Sequence, residues 1–152
     1  MIIRLNGDTS TIIDDDDFIR TSSFHWGIWG KYKYVATRVN GVCIYLHRFI
    51  MNAPDGMHVD HINGDRLDNR KTNLRIATAQ QNAMNQHRVV KSNSGYKGVS
   101  FRSDTGKYSA HITFNYKKIN LGCYDNPITA AMVYDEAARK YFGEFANTNF
   151  QS

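Results

Sequence analysis

The residues that could do chemistry are concentrated in the middle of the chain, around an aspartate–histidine pair. Asp60 and His61 follow a short β-prone stretch, and Asn82 lies just beyond the first turn of a predicted helix, where its side chain could face back toward the pair. A carboxylate and an amide oxygen are hard ligands of the kind that Mg²⁺ accepts, with water and a substrate phosphate filling its other positions. A neighbouring histidine could act as general base on a water molecule. The spacing therefore predicts a hydrolytic metal site.

The elements that must position these residues are a strand, a long loop, a second strand and a helix. Residues 63–65 predict a tight turn after the first strand, and residues 73–77 predict the second strand. Thr78 and Gln81 have the spacing of a capping box, so a helix is expected to begin there. Upstream, the Asn-Gly pair at residues 40–41 lies between two β-prone stretches and predicts a hairpin.

Roughly from residue 47 to residue 85, the chain resembles the HNH endonucleases with a ββα-metal fold, in particular the small phage and intron-associated ones. The resemblance rests on L-H-R-F-I-M, on V-D-H-I-N-G-D-R-L-D-N-R-K-T-N-L-R-I and on the closing Q-N. It implies that His61 is the general base and that Asp60 and Asn82 hold Mg²⁺ or another divalent cation such as Mn²⁺. It also implies that Asn73 holds the ββ loop and orients the histidine.

The same resemblance implies hydrolysis of DNA to 5′-phosphate and 3′-hydroxyl ends. Arg70 or Arg75 could hold the scissile phosphate, and the sequence leaves the choice between them open. The zinc-knuckle cysteines of some relatives are absent, so no structural zinc is expected. The chain has only two cysteines, Cys43 and Cys123, which are most simply interpreted as small buried residues.

A separate pattern begins after the polar stretch 91–95, which is interpreted as a linker. Three alternating stretches predict an antiparallel sheet. Asn126 and Pro127 predict the start of a helix that covers its apolar face and ends at Gly143. The other face of the sheet is predicted to be polar and mildly basic. Its members are Ser100, Arg102, Ser109, His111, Thr113, Lys118 and Asn120.

From about residue 96 to residue 150, the chain resembles the AP-two domain of plant ethylene-response factors. The resemblance rests on Y-K-G-V-S-F-R, G-K-Y-S-A-H-I, L-G-C-Y, A-A-M-V-Y-D-E-A-A and N-T-N-F. It implies a sheet that lies in the major groove of DNA. Several of the family's arginines and tryptophans are replaced here, so the target sequence of the plant domain does not transfer. The positions that match DNA-contacting residues are Lys97, Arg102, His111, Thr113, Lys118 and Asn120.

Composition agrees with an anionic partner. The 152 residues carry a net charge of +5. Basic and acidic residues number five and five over residues 1–46, six and four over 47–90, and eight and five over 91–152. No apolar run approaches the roughly 18 residues of a membrane span, and the first residues lack the apolar stretch of a signal peptide. We therefore expect no membrane partner and a cytoplasmic location, in the host cytoplasm if the protein is phage-encoded.

Other polar residues have plainer interpretations. The acidic run 14–17 predicts a solvated turn or a helix start rather than a metal site. His47 is left open between a structural role and a role near the site, and His58 is interpreted as structural. Asn63 and Asn69 are interpreted as loop formers, because asparagine tolerates turn geometry.

The sequence thus predicts an α+β fold in which a ββα-metal unit precedes a three-stranded antiparallel sheet packed on one helix. The predicted domains are a β-rich element at 1–46, a nuclease at 47–90, a linker at 91–95 and a DNA-binding domain at 96–152. The predicted function is a metal-dependent, homing-type endonuclease on duplex DNA, with a monomer favoured. One alternative is a DNA-binding regulator whose HNH remnant no longer cuts. Another is an RNA-binding or structural phage protein.

Overall fold

The computed structural model describes residues 1–85 and 93–150 and combines helices with small antiparallel sheets, which confirms the predicted α+β class. The chain divides into two compact units, Met1–Ala83 and Met84–Ser152. The predicted linker and the end of the predicted nuclease domain fall partly on residues 86–92, outside the described residues. The predicted domain boundaries therefore stay predictions. No helix in the described part is long and apolar enough to cross a bilayer.

Within residues 1–84, the strands form two hairpins and one three-stranded sheet. The first hairpin pairs β1 with β2, the sheet has the order β3-β4-β5, and the second hairpin pairs β6 with β7. A 3-10 turn at Lys71–Asn73 leads into β7. The elements are β1 (Ile2–Arg4), β2 (Ser10–Ile12), α1 (Asp15–Ser22), β3 (Gly27–Trp29), β4 (Tyr34–Val39), β5 (Val42–Tyr45), α2 (Leu46–Met51), β6 (His58–His61), β7 (Leu74–Ala77) and α3 (Ala79–Met84).

Local sequence explains how these elements begin and turn. Asn40 and Gly41 connect β4 to β5 with φ angles of 49° and 83°, the left-handed conformations that a tight two-residue hairpin turn needs. The predicted capping box starts α3. Gln81 N donates to Thr78 Oγ1 at 3.2 Å, and Thr78 N donates to Gln81 Oε1 at 2.8 Å. The strand, loop, strand and helix thus follow in the order predicted from the sequence.

One apolar core joins the N-terminal strands to the elements that carry the predicted site. Phe24 and Phe49 pack against this core and make tilted and edge-on ring contacts with each other and with the buried Trp26. In this core, residues from segment 1–46 pack against residues of the predicted nuclease segment. The burial of apolar area therefore stabilises the two segments together. The buried core residues are Leu5, Ile13, Trp26, Val35, Leu46, Ile50, Val59 and Leu74.

The long loop between β6 and β7, which we call the ββ loop, is fastened to the N-terminal segment by backbone bonds. Ile12 N donates to Leu67 O at 2.9 Å, and Asn69 N donates to Ile12 O at 2.8 Å. Lys71 N donates to Asp14 Oδ2 at 2.7 Å. The strand β2 therefore fixes the path of the ββ loop.

The acidic run begins helix α1, as the sequence predicts, and its last member adds a second attachment to the loop. Asp17 is buried and accepts a hydrogen bond from Arg20 Nε at 2.7 Å. Lys71 Nζ lies 3.0 Å from the other oxygen of the same carboxylate. A buried carboxylate needs such compensating charge, so Asp17 ties α1 to the end of the ββ loop.

Within residues 93–150, the second unit is an antiparallel sheet of order β10-β9-β8 with one face covered by helix α4. Small residues of α4 allow its close approach, with Ala131 and Ala138 fully buried. The apolar strand residues Val99, Ala110 and Ile112 lie beneath the helix. The elements are β8 (Val99–Arg102), β9 (Lys107–Phe114), β10 (Lys117–Tyr124), α4 (Pro127–Phe142) and a closing 3-10 turn, Gly143–Phe145.

Helix α4 begins and ends where the sequence predicts. The side chain of Asn126 accepts a hydrogen bond from the backbone of Ile128 at 2.8 Å, and Gly143 follows the last helical residue with φ of 55°. The approach of α4 also requires a glycine before β8. Gly98 has φ of 75°, and a Cβ there would lie 1.9 Å from the ring of Tyr134.

The strand register places the predicted polar residues on the face of the sheet opposite α4. The cross-strand pairs are Ser100–Ser109, His111–Asn120 and Thr113–Lys118. Cys123 pairs with Ser109 on this same face and is exposed, and Cys43 on β5 is exposed as well. The prediction that both cysteines are buried is therefore wrong, because each occupies an outward position of its strand.

A buried carboxylate closes the second unit by binding its last described residues. Asp135 on α4 accepts hydrogen bonds from Asn149 N at 2.8 Å, Asn149 Nδ2 at 2.9 Å and Phe150 N at 2.9 Å. The side-chain oxygen of Asn149 accepts from Lys97 N at 2.6 Å. The C-terminal segment is thus tied to the chain just before β8 through Asp135.

Asp135→Asn should destabilise the second unit, because the amide offers one acceptor fewer to a set of partly buried donors. We expect a loss of about 2 kcal/mol in the free energy of unfolding. Urea unfolding, monitored by hydrogen exchange of β9 peptides, measures this loss. The fluorescence of Trp26 and Trp29 monitors the unfolding of the first unit separately. Asp104→Asn, at an exposed carboxylate of the same unit, is the control and should leave the transition unchanged. Equal transitions for the two variants would contradict the role of Asp135.

Candidate active site

His61 is the last residue of β6, and its ring is buried against the ββ loop and a group of aromatic side chains. Its Nε2 lies 3.2 Å from Asn69 Oδ1. The ring centroid lies 5.2 Å from that of His47 and 6.2 Å from that of Tyr34. Burial is the main cause that lowers the pKa of His61 from its usual value. The imidazole is therefore neutral at neutral pH and able to accept a proton.

Asp60 pairs with the residue directly across the hairpin. Asp60 and Arg75 are cross-strand neighbours, and Arg75 donates from Nε at 3.0 Å and from Nη2 at 2.8 Å to Asp60 Oδ2. An arginine predicted to hold phosphate is thus bound to a predicted metal ligand. Both of these bonds end on Oδ2, so Oδ1 is the oxygen that Asp60 can offer to a cation.

Asn82 lies in the first turns of α3 and faces the strand that carries Asp60. Its Nδ2 lies 3.4 Å from Nδ1 of His58. Because side chains two positions apart share one face of a strand, His58 and Asp60 point the same way. The structure therefore brings Asn82 to His58, with the amide oxygen as the atom that Asn82 can offer to a cation.

These donors suit a hard divalent cation. The available atoms of Asp60 and Asn82 are a carboxylate and an amide oxygen, which Mg²⁺ and Mn²⁺ accept together with water and substrate phosphate. Among the described residues there is no group of three or more His, Cys, Asp or Glu side chains that could hold a metal. A cation here would accordingly depend on few protein ligands.

Asn73 closes the ββ loop from inside. Its Oδ1 accepts from Asn63 N at 3.0 Å, and its Nδ2 donates to Asp68 O at 2.8 Å. Ile62 N donates to Asn73 O at 2.9 Å. The side chain of Asn73 thus joins the two ends of the loop.

A cavity of about 460 Å³ lies beside the site in the first unit. Arg48 shapes one wall, because its guanidinium donates to the carbonyl oxygens of Ala53 at 3.3 Å, Pro54 at 3.1 Å and Met57. The remaining wall is aromatic and polar. Its principal residues are Tyr32, Tyr34, Tyr45, His47, His58 and Asn82.

Two further arginines of the ββ loop differ in their partners. Arg70 donates to both oxygens of Asp68, from Nε at 2.8 Å and from Nη2 at 2.7 Å, and these bonds lower the pKa of that carboxyl. Arg66 lies over the ring of Tyr34, 5.0 Å from its centroid, and donates to Tyr32 O at 2.8 Å. Within residues 1–85 and 93–150, no carboxylate pairs with Arg66.

In the second unit, the predicted DNA-contacting residues divide into two groups. Lys97 is engaged internally, since its ammonium donates to Met84 O at 3.3 Å and Asn147 O at 3.2 Å. The other five lie on the open face of the sheet. They are Arg102, His111, Thr113, Lys118 and Asn120.

Two residues of this open face have notable surroundings. Arg102 is exposed and donates to Asp104 from Nε at 3.1 Å and from Nη2 at 2.6 Å. His111 Nδ1 is buried, and no described residue hydrogen-bonds to it. Burial, and then the nearby Lys118, lower the pKa of His111. The face therefore holds a neutral imidazole among cationic and hydroxyl side chains.

Sequence reasoning missed the contacts of three residues. The sequence predicts Asn69 to be a loop former, and in the structure its side chain is also fully buried against His61. The sequence does not indicate the contact of Arg66 with Tyr34 or that of His58 with Asn82. The choice for His47 stays open, since its ring is buried and its centroid lies 5.2 Å from that of His61. No local signal marks Asn69, because its buried partner Thr11 is 58 positions away.

Known proteins share this segment. A sequence model described as HNH endonuclease matches residues 45–84, the part that carries β6, the ββ loop, β7 and α3. A protein of Acanthamoeba polyphaga mimivirus named as an uncharacterized HNH endonuclease is 33% identical over 136 residues, which is 82% of this chain and 70% of the viral protein. The chain belongs to the HNH endonuclease family.

Other relatives match this HNH chain over different lengths. Protein 3.8 of Escherichia phage T7 is 30% identical over 93 residues, or 61% of the chain and 76% of the phage protein. The C-terminal region is similar to a plant protein, APETALA2-like protein 2 of Oryza sativa subsp. indica. That identity is 42% over 57 residues, which is 38% of the chain and 13% of the plant protein. The HNH chain thus shares only a domain-sized region with the plant protein.

Replacing His47 should make the first unit less sensitive to acid. Burial, and then the charges of His61 and Arg48, lower the pKa of His47 from 6.5 to about 3. Between these values the unfolded chain binds a proton that the folded chain does not, so stability falls as the pH falls from about 6.5 toward 3. The slope reaches about 1.4 kcal/mol per pH unit. His47→Leu should flatten this slope in urea unfolding followed by Trp26 fluorescence.

The matched control is His25→Gln, which changes an exposed histidine of the same unit. This variant should keep the slope of the parent chain. An unchanged slope in His47→Leu would contradict the prediction, whatever the absolute stability of that variant.

Proposed function

We propose that this chain is a divalent-metal-dependent, homing-type endonuclease that hydrolyses phosphodiester bonds in duplex DNA. The observation that carries the proposal is a buried, neutral His61 directly after Asp60 at the end of β6, inside the segment that matches the HNH family. Asn73 supports it by closing the loop between the two strands. The products would carry 5′-phosphate and 3′-hydroxyl ends.

His61 acts as the general base. The proton of a water molecule moves to the imidazole, the water oxygen forms a bond to the scissile phosphorus, and the bond to the 3′ oxygen breaks. The departing oxygen takes a proton from solvent. General-base catalysis of this kind contributes about a hundredfold to ten-thousandfold to a rate. His61 is suited to this step because burial keeps the ring unprotonated at neutral pH.

Asp60 and Asn82 would hold the divalent cation through their oxygens. A bound cation would supply charge stabilisation to the phosphate and to the leaving 3′ oxygen. Arg75 orients the carboxylate of Asp60, since its two bonds to that carboxylate end on one oxygen. Asn82 is oriented by its amide nitrogen against His58.

Arg66 is the arginine that we assign to the scissile phosphate. Arg70 and Arg75 are each bound to a carboxylate, whereas no described carboxylate pairs with Arg66. The ring of Tyr34 contacts both Arg66 and His61. A guanidinium stacked on an aromatic ring loses little further freedom when it binds a phosphate. The open choice between Arg70 and Arg75 is thus replaced by a third candidate.

The open face of the second unit would bind duplex DNA and aid site choice. Its arginine, lysine, histidine and hydroxyl side chains can bind phosphates and base edges. The similarity of the C-terminal region to a plant APETALA2-like protein supports this assignment. Asn120 is partly engaged, because its Oδ1 accepts from Gly122 N at 3.0 Å.

One observation favours the alternative of a DNA-binding regulator with an inactive HNH remnant. Arg75 forms an ion pair with Asp60, so its guanidinium already neutralises the carboxylate that would have to bind the metal ion. A plasmid-nicking assay decides between the two functions. Nicking that requires Mg²⁺ or Mn²⁺ and stops with a chelator supports the endonuclease, whereas binding without nicking in any divalent ion supports the regulator.

His61→Ala should abolish nicking of supercoiled plasmid while DNA binding stays near that of the parent chain. The expected loss is about a hundredfold or more, because the general base is removed. Relaxation of plasmid on agarose gels measures cleavage, and gel-shift titration measures binding. His25→Ala, at an exposed histidine of the same unit, is the control. Residual activity within about tenfold of the parent would refute the general-base assignment.

Arg66→Ala should lower kcat/KM for nicking by about tenfold to a hundredfold, the effect of losing a charge-assisted bond to phosphate. Arg66→Lys should recover part of the loss, because the lysine keeps the charge without the planar fork. Arg38→Ala is a matched control, since Arg38 also stacks on an aromatic ring of the first unit, 5.5 Å from the centroid of Trp29. Equal kinetics for Arg66→Ala and Arg38→Ala would count against Arg66.

A double change at Arg102 and Lys118 to alanine should weaken DNA binding and its salt dependence. Each lost phosphate contact lowers the slope of log Kd against log salt by about one. Fluorescence anisotropy with a labelled duplex measures this slope over a range of salt concentrations. Lys140→Ala, on the helix that covers the other face, should not change it. An unchanged slope in the double variant would show that this face is not the one that binds.

A further inference from the structure

Asn69 joins His61 to the N-terminal hairpin through a chain of buried hydrogen bonds. Its side chain is fully buried, and its Oδ1 lies 3.2 Å from His61 Nε2. Its Nδ2 donates to Thr11 Oγ1 at 2.8 Å and to Arg66 O at 3.1 Å. Thr11, also fully buried, donates its own hydroxyl proton to Leu67 O at 2.7 Å.

This network permits only one orientation of the Asn69 amide. The carbonyl oxygen of Arg66 can only accept, so the group 3.1 Å from it must be the amide nitrogen. The hydroxyl of Thr11 donates its only proton to Leu67 O, so its oxygen must accept the hydrogen bond from Asn69. An inverted amide would set its oxygen against the Arg66 carbonyl with no proton between them. Oδ1 of Asn69 must consequently face His61.

The orientation of Asn69 decides which nitrogen of His61 carries the proton. An amide oxygen has no proton to give, so the short contact to Nε2 requires an N–H on Nε2. A neutral imidazole carries one proton, and the lone pair able to accept another is then on Nδ1. The tautomer of a ring at the end of β6 is thus set by residues of the ββ loop and of β2.

We propose that Asn69 and Thr11 are positioning residues that hold His61 in its Nε2–H tautomer and present Nδ1 as the proton acceptor. The role of Nδ1 as base rests on the proposed function, whereas the tautomer can be observed in the protein alone. When water gives its proton to Nδ1, the ring becomes imidazolium, and Asn69 Oδ1 remains bonded to the Nε2 proton. Asn69 Oδ1 therefore accepts the same hydrogen bond from Nε2 before and after the proton transfer.

The strand β2 gives this arrangement its rigidity. Asn69 is fastened by its side chain to Thr11 and by its backbone nitrogen to Ile12 O at 2.8 Å. Both contacts come from adjacent residues of the same strand. Asn69 therefore has little freedom to rotate away from His61, and the N-terminal hairpin acquires a part in the chemistry of the site.

The first test needs no variant. Long-range ¹H–¹⁵N spectra of the full chain with ¹⁵N-labelled histidine, assigned by comparison with His61→Ala, distinguish a protonated ring nitrogen from one with a lone pair. We expect His61 to show a protonated Nε2 and a lone pair on Nδ1 at neutral pH. A proton on Nδ1, or an averaged mixture of tautomers, would overturn the proposal.

The second test removes one hydroxyl and then restores it. Thr11→Val should lower kcat for nicking by about fivefold, the effect of losing one buried hydrogen bond, with little change in KM. It should also admit a share of the second His61 tautomer in the spectra, because only the bond to Arg66 O then opposes an inverted amide. Thr11→Ser should restore both kcat and the single tautomer. Thr21→Val is the control, since Thr21 is equally buried and donates to Asp17 O at 2.8 Å, remote from His61 in the hydrogen-bond network.

The outcomes separate this proposal from the proposed function. A single Nε2–H tautomer in a chain that nicks no DNA would leave the positioning role of Asn69 standing and overturn the nuclease. If Thr11→Val keeps the parent tautomer and kcat, or matches Thr21→Val in both, the role of Thr11 is overturned. Asn69→Leu extends the test, because a single Nε2–H tautomer without the amide would overturn the role of Asn69.

Discussion

The site depends on the fastening of one loop. β6 and β7 are short strands of a two-stranded hairpin, which is marginally stable by itself. The ββ loop between them carries Asn69, and its ends carry His61 and Asn73. Asn73 closes this loop from inside, while β2 and α1 hold it from outside through backbone bonds and the buried Asp17 carboxylate. Without these bonds the strands would not hold an imidazole and a carboxylate in one arrangement.

Ion pairs also fix the side chains of the site. Asp60 and Asp68 each neutralise an arginine, and each pair fixes the geometry of both partners. Arg66 is fixed instead by aromatic rings and a carbonyl, which leaves its charge uncompensated by any carboxylate in the described part of the chain. The positive charge of Arg66 is therefore available to an incoming phosphate, and Tyr34 places it near His61.

Much of the fold could be predicted from the sequence, because its signals are local. The Asn-Gly turn, the capping box at Thr78 and the start of α4 each depend on residues a few positions apart. The contacts that complete the candidate site are not local. Thr11 reaches Asn69 across 58 positions, and the pairing of Arg75 with Asp60 follows from strand register rather than from residue type. The exposed cysteines were missed because composition does not show to which side of a strand a residue points.

The long-range bonds of Thr11 also affect how the protein is made. Its partners Leu67 and Asn69 lie 56 and 58 positions further along the chain. During synthesis, the N-terminal hairpin therefore leaves the ribosome well before the ββ loop to which it hydrogen-bonds. Contacts of high sequence separation form late, since the intervening chain must first be ordered. The hydrogen bonds that orient the His61 ring therefore need both ends of the first unit, and we expect them to form late in its folding.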